Sequence, residues 1–171
     1  MDFYTLNKEE EIKVLRTLSQ PVENIDGKLV EFADAMVESI AGKGIGLAAP
    51  QVGRNERFFV VQLSEEEKPL YFFNPQIIGT SDKLSSYDEG CLSIPEINGK
   101  IKRPAIITVQ AWNRRGRPFT IEAEGLLATV IQHEYDHLNG KLFIDYLPER
   151  KRAKIAKHFG LDIYPQLGEE G

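Results

Sequence analysis

Residues 125–137 read GLLATVIQHEYDH, in which an uncharged run, 125–132, leads into two histidines four positions apart. In an α-helix this spacing places His133 and His137 on one face, where both imidazoles can bind one metal ion. Glu134 lies between them and can take a proton from a water on that metal. The alternative is a surface helix with two solvated histidines, but a run with so little charge predicts a buried helix, in which histidines need partners. The run therefore indicates two metal ligands and a general base.

A metal bound by two histidines needs a third ligand, and Cys91 is the single cysteine of the chain. One thiol excludes an intramolecular disulfide. A lone cysteine is most often a small buried hydrophobic residue, which is the alternative here. The setting EGCLSIP, residues 89–95, is loop-like with glycine beside the sulfur and favours a thiolate ligand. Glu89 and Asp136 are candidates for side chains that hold the ligands in position.

A glycine-rich segment, GIGLAAPQ at residues 44–51, matches the loose dinucleotide-binding pattern G-x-G-x-x-A. A dinucleotide site requires a strand before the glycines and a helix after them, whereas a predicted helix precedes this segment and Pro50 would interrupt a helix after it. The other interpretation is a segment whose backbone N–H and C=O groups pair with a bound peptide. Gln51 can then donate a hydrogen bond to a developing oxyanion, unless it is a solvated loop residue.

Length and charge restrict the class of protein. The chain of 171 residues is expected to be one catalytic domain, residues 1–171, which begins with an N-terminal segment (1–20) and ends in a basic helix plus tail (149–171). With 21 basic and 26 acidic residues, its net charge of -5 argues against a DNA-binding or general nucleic-acid-binding protein. We find neither a leader pattern at the start nor an apolar segment that could span a bilayer. We therefore expect a soluble, cytoplasmic protein without a membrane partner.

The hydrophobic pattern predicts an α+β fold. A short amphipathic helix is expected in the first twenty residues, before Pro21, and a second helix from the N-cap Asp26 to the glycines at 42 and 44. Strand-forming residues predict extended segments at 57–63, 71–78, 105–112 and 118–122, the last two as a hairpin. The polar connection 79–88 and the cysteine segment after it are expected to be loops.

The predicted metal-binding helix spans about residues 125–140, and Pro148 opens a last, basic helix. Residues 166–171 are expected to be unstructured. The expected architecture is thus a set of mixed, mainly antiparallel strands packed around a central metal-binding helix, with N-terminal and C-terminal helices.

Three segments in this order, GIGLAAPQ, EGCLS and HEYDH, match the three motifs of the peptide deformylase family, which the chain resembles from about residue 25 to residue 147. No motif position departs from the family pattern. The resemblance, to the bacterial type, implies a metal-dependent hydrolase that removes the N-formyl group from formyl-methionine at the N-terminus of newly synthesised proteins and releases formate. Its partners would be N-formylmethionyl peptides and nascent chains.

The family roles carry over onto individual positions of this chain. The resemblance makes Cys91, His133 and His137 the metal ligands, Glu134 the acid and base, and Gln51 and the backbone N–H of Leu92 the oxyanion donors. The three ligands suit one divalent metal ion, whether Zn²⁺, Ni²⁺, Co²⁺ or Fe²⁺, and the resemblance favours Fe²⁺.

An apolar pocket beside the metal is expected to select the methionine side chain. Helical spacing places several side chains on the turns just before His133, where they can form a wall of this pocket, and ordinary core packing is the alternative for them. The candidate substrate-binding residues are Ile45, Gly46, Gly90, Leu126, Thr129 and Val130.

Two rival classes share parts of this pattern. Zinc endopeptidases use the same His-Glu-x-x-His helix but mostly recruit a downstream His or Glu as third ligand, and the remaining histidine here, His158, lies in the basic helix. A structural metal site normally has four protein ligands and no need for Glu134.

The basic C-terminal helix has two interpretations. Its cations are Arg150, Lys151, Arg152, Lys154 and Lys157. Such a run is commonly a solvated face. The resemblance implies instead that the helix docks on ribosomal RNA near the exit of the nascent chain.

Overall fold

The computed structural model describes residues 1–164, which form four α-helices and seven β-strands. The helices are α1 (Glu9–Leu15), α2 (Gly27–Ser39), α3 (Gly125–Leu138) and α4 (Glu149–Phe159). The strands are β1 (Gly46–Ala48), β2 (Phe58–Val61), β3 (Leu70–Thr80), β4 (Leu84–Cys91), β5 (Ile94–Pro104), β6 (Ile106–Trp112) and β7 (Pro118–Glu124). Short 3₁₀ turns lie at Ala49–Val52 and Phe143–Tyr146. The prediction for residues 166–171 lies outside the described residues.

The strands form two antiparallel sheets. Five of them pair in the order β1-β2-β3-β6-β7, which makes β1 an edge strand. Strands β4 and β5 form a separate two-stranded hairpin. The expected hairpin β6–β7 is present, and its turn is closed by the Gly116 N–H, which donates to the carbonyl oxygen of Asn113 at 2.9 Å. The prediction of an α+β fold with mainly antiparallel strands is confirmed.

Helix α3 packs its apolar side against the larger sheet. Ala128 and Ile131 are fully buried in one cluster with strand residues such as Phe59. Burying a side chain of the size of Ile131 contributes about 1.5–3 kcal/mol. The chain turns away at Gly140, where φ is +72° and a Cβ atom would lie 2.5 Å from the carbonyl oxygen of Arg16, so this position requires glycine. The predicted end of the helix near residue 140 is confirmed.

Helix α2 begins where the sequence predicts. The carboxylate of Asp26 accepts a hydrogen bond from the N–H of Leu29 at 2.9 Å, which satisfies one of the free donors of the first turn. Ala33 and Met36 are fully buried against the larger sheet. The helix ends at Ser39, a few residues before the glycines that were expected to end it. The chain then leads directly into edge strand β1.

The prediction of a loop at 79–88 was wrong, because residues 84–91 form strand β4. This strand pairs with β5 from Leu84, opposite Pro104, to Cys91, opposite Ile94. Its sequence, LSSYDEGC, is mostly polar and contains glycine, so strand propensity is low and only part of it is buried. Cys91 therefore ends a strand instead of lying in a loop.

The glycine-rich segment also contains regular structure that the sequence did not predict. Gly46–Ala48 pair with β2, and Pro50 and Gln51 lie in the next 3₁₀ turn. A strand of three residues is too short to produce an alternating hydrophobic pattern. Among the helices of residues 1–164, none has the length and apolar character that a membrane span requires.

Candidate metal centre and active site

The structure brings the three predicted metal ligands together. Donor atoms of Cys91, His133 and His137 all lie within 4.8 Å of one another. The Cys91 Sγ atom is 3.4 Å from Nε2 of His137, and the two imidazole rings are 5.1 Å apart between centroids. Both histidines are buried and the cysteine is half-buried. The end of strand β4 and one face of helix α3 thus form a single cluster.

The electrostatics of this cluster suit a bound cation. Burial, followed by the positive charge at His133, holds the pKa of His137 well below its usual range, so this imidazole stays neutral, which is the form that binds a metal. Burial alone would also lower the pKa of His133, but Cys91 and Glu134 raise it well above its usual value. Cys91 and Glu134 therefore favour a positive charge in the space beside His133. One oxygen of Glu134, Oε1, is buried without a protein partner beside the cluster. A thiol and two imidazoles in such surroundings fit a divalent metal ion.

Glu89 contacts the His133 ring at Nδ1 and holds it in position. Its Oε1 atom lies 2.9 Å from Nδ1 of His133, which leaves the other ring nitrogen free for a metal. Arg103 donates two hydrogen bonds to the same carboxylate, at 2.7 and 3.0 Å. Burial would raise the pKa of Glu89, but the hydrogen bonds from His133 and Arg103 outweigh it and lower that pKa. Glu89 therefore stays ionised.

Arg103 belongs to this network, and the sequence analysis missed it. Its side chain is buried together with Glu89, and a further hydrogen bond joins it to Asp136 at 2.9 Å. Asp136, a candidate for holding the ligands in position, thus acts through Arg103, which in turn contacts Glu89. Recognition of β5 as a strand would have revealed Arg103, because alternation places Gly99, Ile101 and Arg103 on one buried face.

Glu134 is buried in the wall of the cavity next to the cluster. Burial, the largest effect on this group, raises its pKa to about 7, although the charge of His133 acts in the opposite direction. A carboxyl group with this pKa can both accept and release a proton near neutral pH. Its other oxygen, Oε2, faces Gly46, where a Cβ atom would lie only 2.6 Å away.

Gln51 is buried and its amide has one defined orientation. Its carbonyl Oε1 accepts a hydrogen bond from the N–H of Ala48 at 2.9 Å. Its Nε2 donates to Oγ of Ser93 at 3.2 Å and lies 3.4 Å from Sγ of Cys91. The donor end of the amide therefore faces the metal-binding cluster, and Gln51 is not a solvated loop residue. Leu92 comes directly after Cys91 in the turn of the β4–β5 hairpin and lines the same cavity.

A cavity of about 380 Å³ lies between β1, the end of β4 and helix α3. All six predicted substrate-binding residues line it, namely Ile45, Gly46, Gly90, Leu126, Thr129 and Val130. Leu126 is 42% exposed, which excludes ordinary core packing for this residue. Val130 is nearly buried, at 6% exposure, and adjoins Gly46. The volume is in the range of sites for small ligands.

Three residues of the cavity wall were not predicted: Lys43, Tyr87 and Asp88. Lys43 precedes the glycine-rich segment, and the other two belong to strand β4. They reach the wall because the end of β4 and the segment before β1 line the same cavity, and the linear sequence carries no local signal for that arrangement.

The sequence matches one family of known proteins over most of its length. The sequence profile of the polypeptide deformylase family matches residues 4–153. A peptide deformylase of Rhizobium meliloti (strain 1021) is 48% identical over 150 residues, which cover 85% of this chain and 86% of that protein. A peptide deformylase of Borreliella burgdorferi is 47% identical over 148 residues, with coverage of 85% and 89%.

Solved structures show the same relationship. The crystal structure of a peptide deformylase from Synechococcus elongatus in complex with actinonin has a TM-score of 0.84 at 39% identity, and the match covers 95% of this chain and 87% of that one. A peptide deformylase from Legionella pneumophila has a TM-score of 0.84 at 35% identity, with coverage of 93% and 92%. The Cys-His-His cluster, the buried Glu134 beside it and this likeness in sequence and fold place the chain in the peptide deformylase family.

Proposed function

We propose that this chain is a hydrolase that removes the N-formyl group from formyl-methionine at the N-terminus of newly synthesised proteins and releases formate. Membership of the peptide deformylase family supports this activity. The observation that carries it is a buried carboxyl group, Glu134, with a pKa of about 7 beside a Cys-His-His cluster at a substrate-sized cavity. A structural metal site would need no such group.

Cys91, His133 and His137 would hold one divalent metal ion. We infer Fe²⁺, although the same donors can also bind Zn²⁺, Ni²⁺ or Co²⁺. When bound, such an ion polarises the formyl oxygen and lowers the pKa of a water. The buried ion pair of Glu89 with Arg103 keeps the His133 ring in one orientation for this role.

Glu134 moves the protons of the reaction. It takes a proton from the attacking water as the water oxygen bonds to the formyl carbon, and it later gives a proton to the amine nitrogen as the C–N bond breaks. The products are formate and a free N-terminal amine. Because the carboxyl group is buried and has a pKa of about 7, both transfers are accessible near neutral pH.

Gln51 and the N–H of Leu92 would stabilise the charge that develops on the formyl oxygen. The Gln51 amide already has its donor end toward the cluster, because Ala48 and Ser93 hold its two ends. Loss of one such donor typically raises the barrier by about 2.7–4 kcal/mol.

The cavity would bind the methionine side chain and the start of the peptide. Leu126, Thr129 and Val130 form its α3 wall and Ile45 lies in the β1 segment. Strand β1 is an edge of the larger sheet, so a peptide can add to it through backbone hydrogen bonds. Only the first residue then enters the pocket, and the rest of the peptide extends toward solvent.

The test is formate release from a formyl-methionyl tripeptide by anaerobically purified, Fe²⁺-loaded protein, compared with Glu134→Gln at equal metal content. We expect Glu134→Gln to lose activity by about 10²–10⁴-fold, the usual contribution of general acid–base catalysis. Glu31→Gln on the exposed face of α2 is the matched control and should keep full activity. If the metal-loaded wild type released no formate but cleaved internal peptide bonds, the chain would be an endopeptidase instead.

We further propose that helix α4 contacts the ribosome, and that the enzyme acts in the cytoplasm where nascent chains are made. Ile155 anchors the helix to the core, whereas Lys151, Lys154 and Lys157 are exposed. Exposed cations on an anchored helix can bind RNA phosphates without any rearrangement of the core.

Charge reversal tests this contact without removing the helix, because a deletion would also remove the buried Ile155. We expect Lys151, Lys154 and Lys157 changed together to Glu to abolish co-sedimentation with ribosomes at low salt. Changing Lys13, Lys28 and Lys68 to Glu alters the net charge equally at exposed positions elsewhere and should leave co-sedimentation intact. Equal co-sedimentation of both variants would contradict the proposal.

A further inference from the structure

The network behind the metal ligands continues outward from Arg103. This guanidinium donates through Nε and Nη2 to Glu89 and through Nη1 to Oδ2 of Asp136, at 2.9 Å. Glu89 lies on β4, Arg103 on β5 and Asp136 on α3, one residue before the ligand His137. One buried arginine thus connects the hairpin that carries Cys91 to the helix that carries both histidines.

Tyr146 covers this arginine on its outer side. The phenol O–H donates to the same Oδ2 atom of Asp136 at 2.8 Å, and the guanidinium carbon of Arg103 lies 5.0 Å from the centre of the phenol ring. Tyr146 itself is 49% exposed, whereas Arg103 is only 5% exposed. Burial, together with the neighbouring Asp136, raises the pKa of Tyr146, so the hydroxyl remains a donor at neutral pH.

We propose that Tyr146 is a positioning residue that slows release of the metal by shielding the Arg103 network from water. The ring excludes water from the guanidinium, and charge-assisted hydrogen bonds are stronger where water is excluded. The hydroxyl holds Asp136 in place for Nη1 of Arg103. Arg103 then holds Glu89, and Glu89 holds the His133 ring. Within residues 1–164, the hydroxyl of Tyr146 hydrogen-bonds to Asp136 and to no proposed metal ligand, and Tyr146 does not line the cavity.

The chain contains a matched arrangement elsewhere. Tyr71 donates its O–H to Asp34 at 2.6 Å, Arg114 donates to the same carboxylate at 2.9 Å, and the guanidinium lies 5.9 Å from the Tyr71 ring centre. This cluster joins α2 and β3 to the turn after β6, and in the described part of the chain its side chains hydrogen-bond to one another and to no proposed metal ligand. Changes at Tyr71 therefore remove the same kind of interaction without touching the metal-binding network.

The experiment measures metal retention. Protein loaded with Co²⁺ is mixed with excess chelator, and loss of the visible ligand-field absorption gives the release rate. We expect Tyr146→Ala to release Co²⁺ about 10-fold faster than the wild type. This is the lower end of the roughly 10–100-fold loss of metal affinity seen when a group that supports a metal ligand is removed. Tyr146→Phe should release it at a rate between those of the wild type and Tyr146→Ala, because this variant keeps the ring over Arg103 and loses only the hydroxyl. This partial rescue separates the two contacts.

Tyr71→Phe and Tyr71→Ala are the controls and should release Co²⁺ at the wild-type rate. The metal-free Tm of each variant, measured in parallel, shows whether a change in retention comes from general destabilisation. Wild-type retention in Tyr146→Phe and Tyr146→Ala would overturn the inference, and so would equal acceleration in the Tyr71 variants. The inference rests on the proposed metal site; a wild-type protein that bound no Co²⁺ would contradict that site itself.

Discussion

Gly46 determines how closely the backbone of β1 approaches the proposed catalytic base, Glu134. A Cβ atom at this position would lie 2.6 Å from Oε2 of Glu134 and 2.9 Å from Cγ1 of Val130. Both neighbours are packed in helix α3 and are nearly buried, so neither can move away freely. The absence of a side chain at Gly46 therefore allows edge strand β1 to lie directly against the base.

Gly46→Ala should consequently impair catalysis more than metal binding. We expect kcat/KM for a formyl-methionyl peptide to fall by about 10²-fold, because a displacement of about 1 Å at a reacting group can have this effect. Metal content should be unchanged, since the atoms nearest to an added Cβ belong to Glu134 and Val130 and not to a proposed metal ligand. Gly27→Ala is the control, because a Cβ atom there meets nothing within 4 Å and activity should be retained. Wild-type kcat/KM in Gly46→Ala would show that β1 can move away from Glu134 at no cost.

Single residues of the site differ in how well the sequence predicts them. His133 and His137 were predictable because their spacing along one helix already places them on one face. Arg103 and Tyr146 were not, because their roles depend on contacts across elements: Arg103 reaches a strand and a helix, and Tyr146 reaches it from a 3₁₀ turn. Neither stands at a characteristic spacing from the ligands in the sequence.

Helices and strands also differ in how well the sequence predicts them. Helix α3 has 14 residues, and its capping glycine and apolar pattern were sufficient to predict it. Strand β4 was missed because most of its residues are polar and give no strand pattern. It is a strand because it pairs along its length with β5. As a result, the sequence predicted that Cys91 binds metal but not which element presents it. The hairpin presents Cys91 at its turn, where pairing shifts register between Gly90 and Cys91.

For the whole molecule, the proposed metal site joins two separately packed regions. The β4–β5 hairpin, which carries Cys91 at its turn, packs on a core formed with the N-terminal segment, the 3₁₀ turn at Phe143–Tyr146 and α4. Ile94, Leu15 and Phe143 are buried together in this core. Helix α3 packs mainly on the larger sheet, and the two form a second core. A metal bound by Cys91 and both histidines therefore connects the two cores, in addition to the link through Arg103.

Metal removal should therefore lower the stability of the whole protein. At a free metal concentration of about 100 times Kd, binding adds about 2.7 kcal/mol to the free energy of unfolding, which for a chain of this size corresponds to a Tm rise of roughly 5–10 °C. Calorimetry with Co²⁺ and with chelator should show this shift as one cooperative transition, as expected for one domain. Cys91→Ala should lose the shift, whereas His158→Ala, at an exposed position of α4, should keep it. A metal-independent Tm, or two transitions of which only one responds, would contradict a metal that connects both cores.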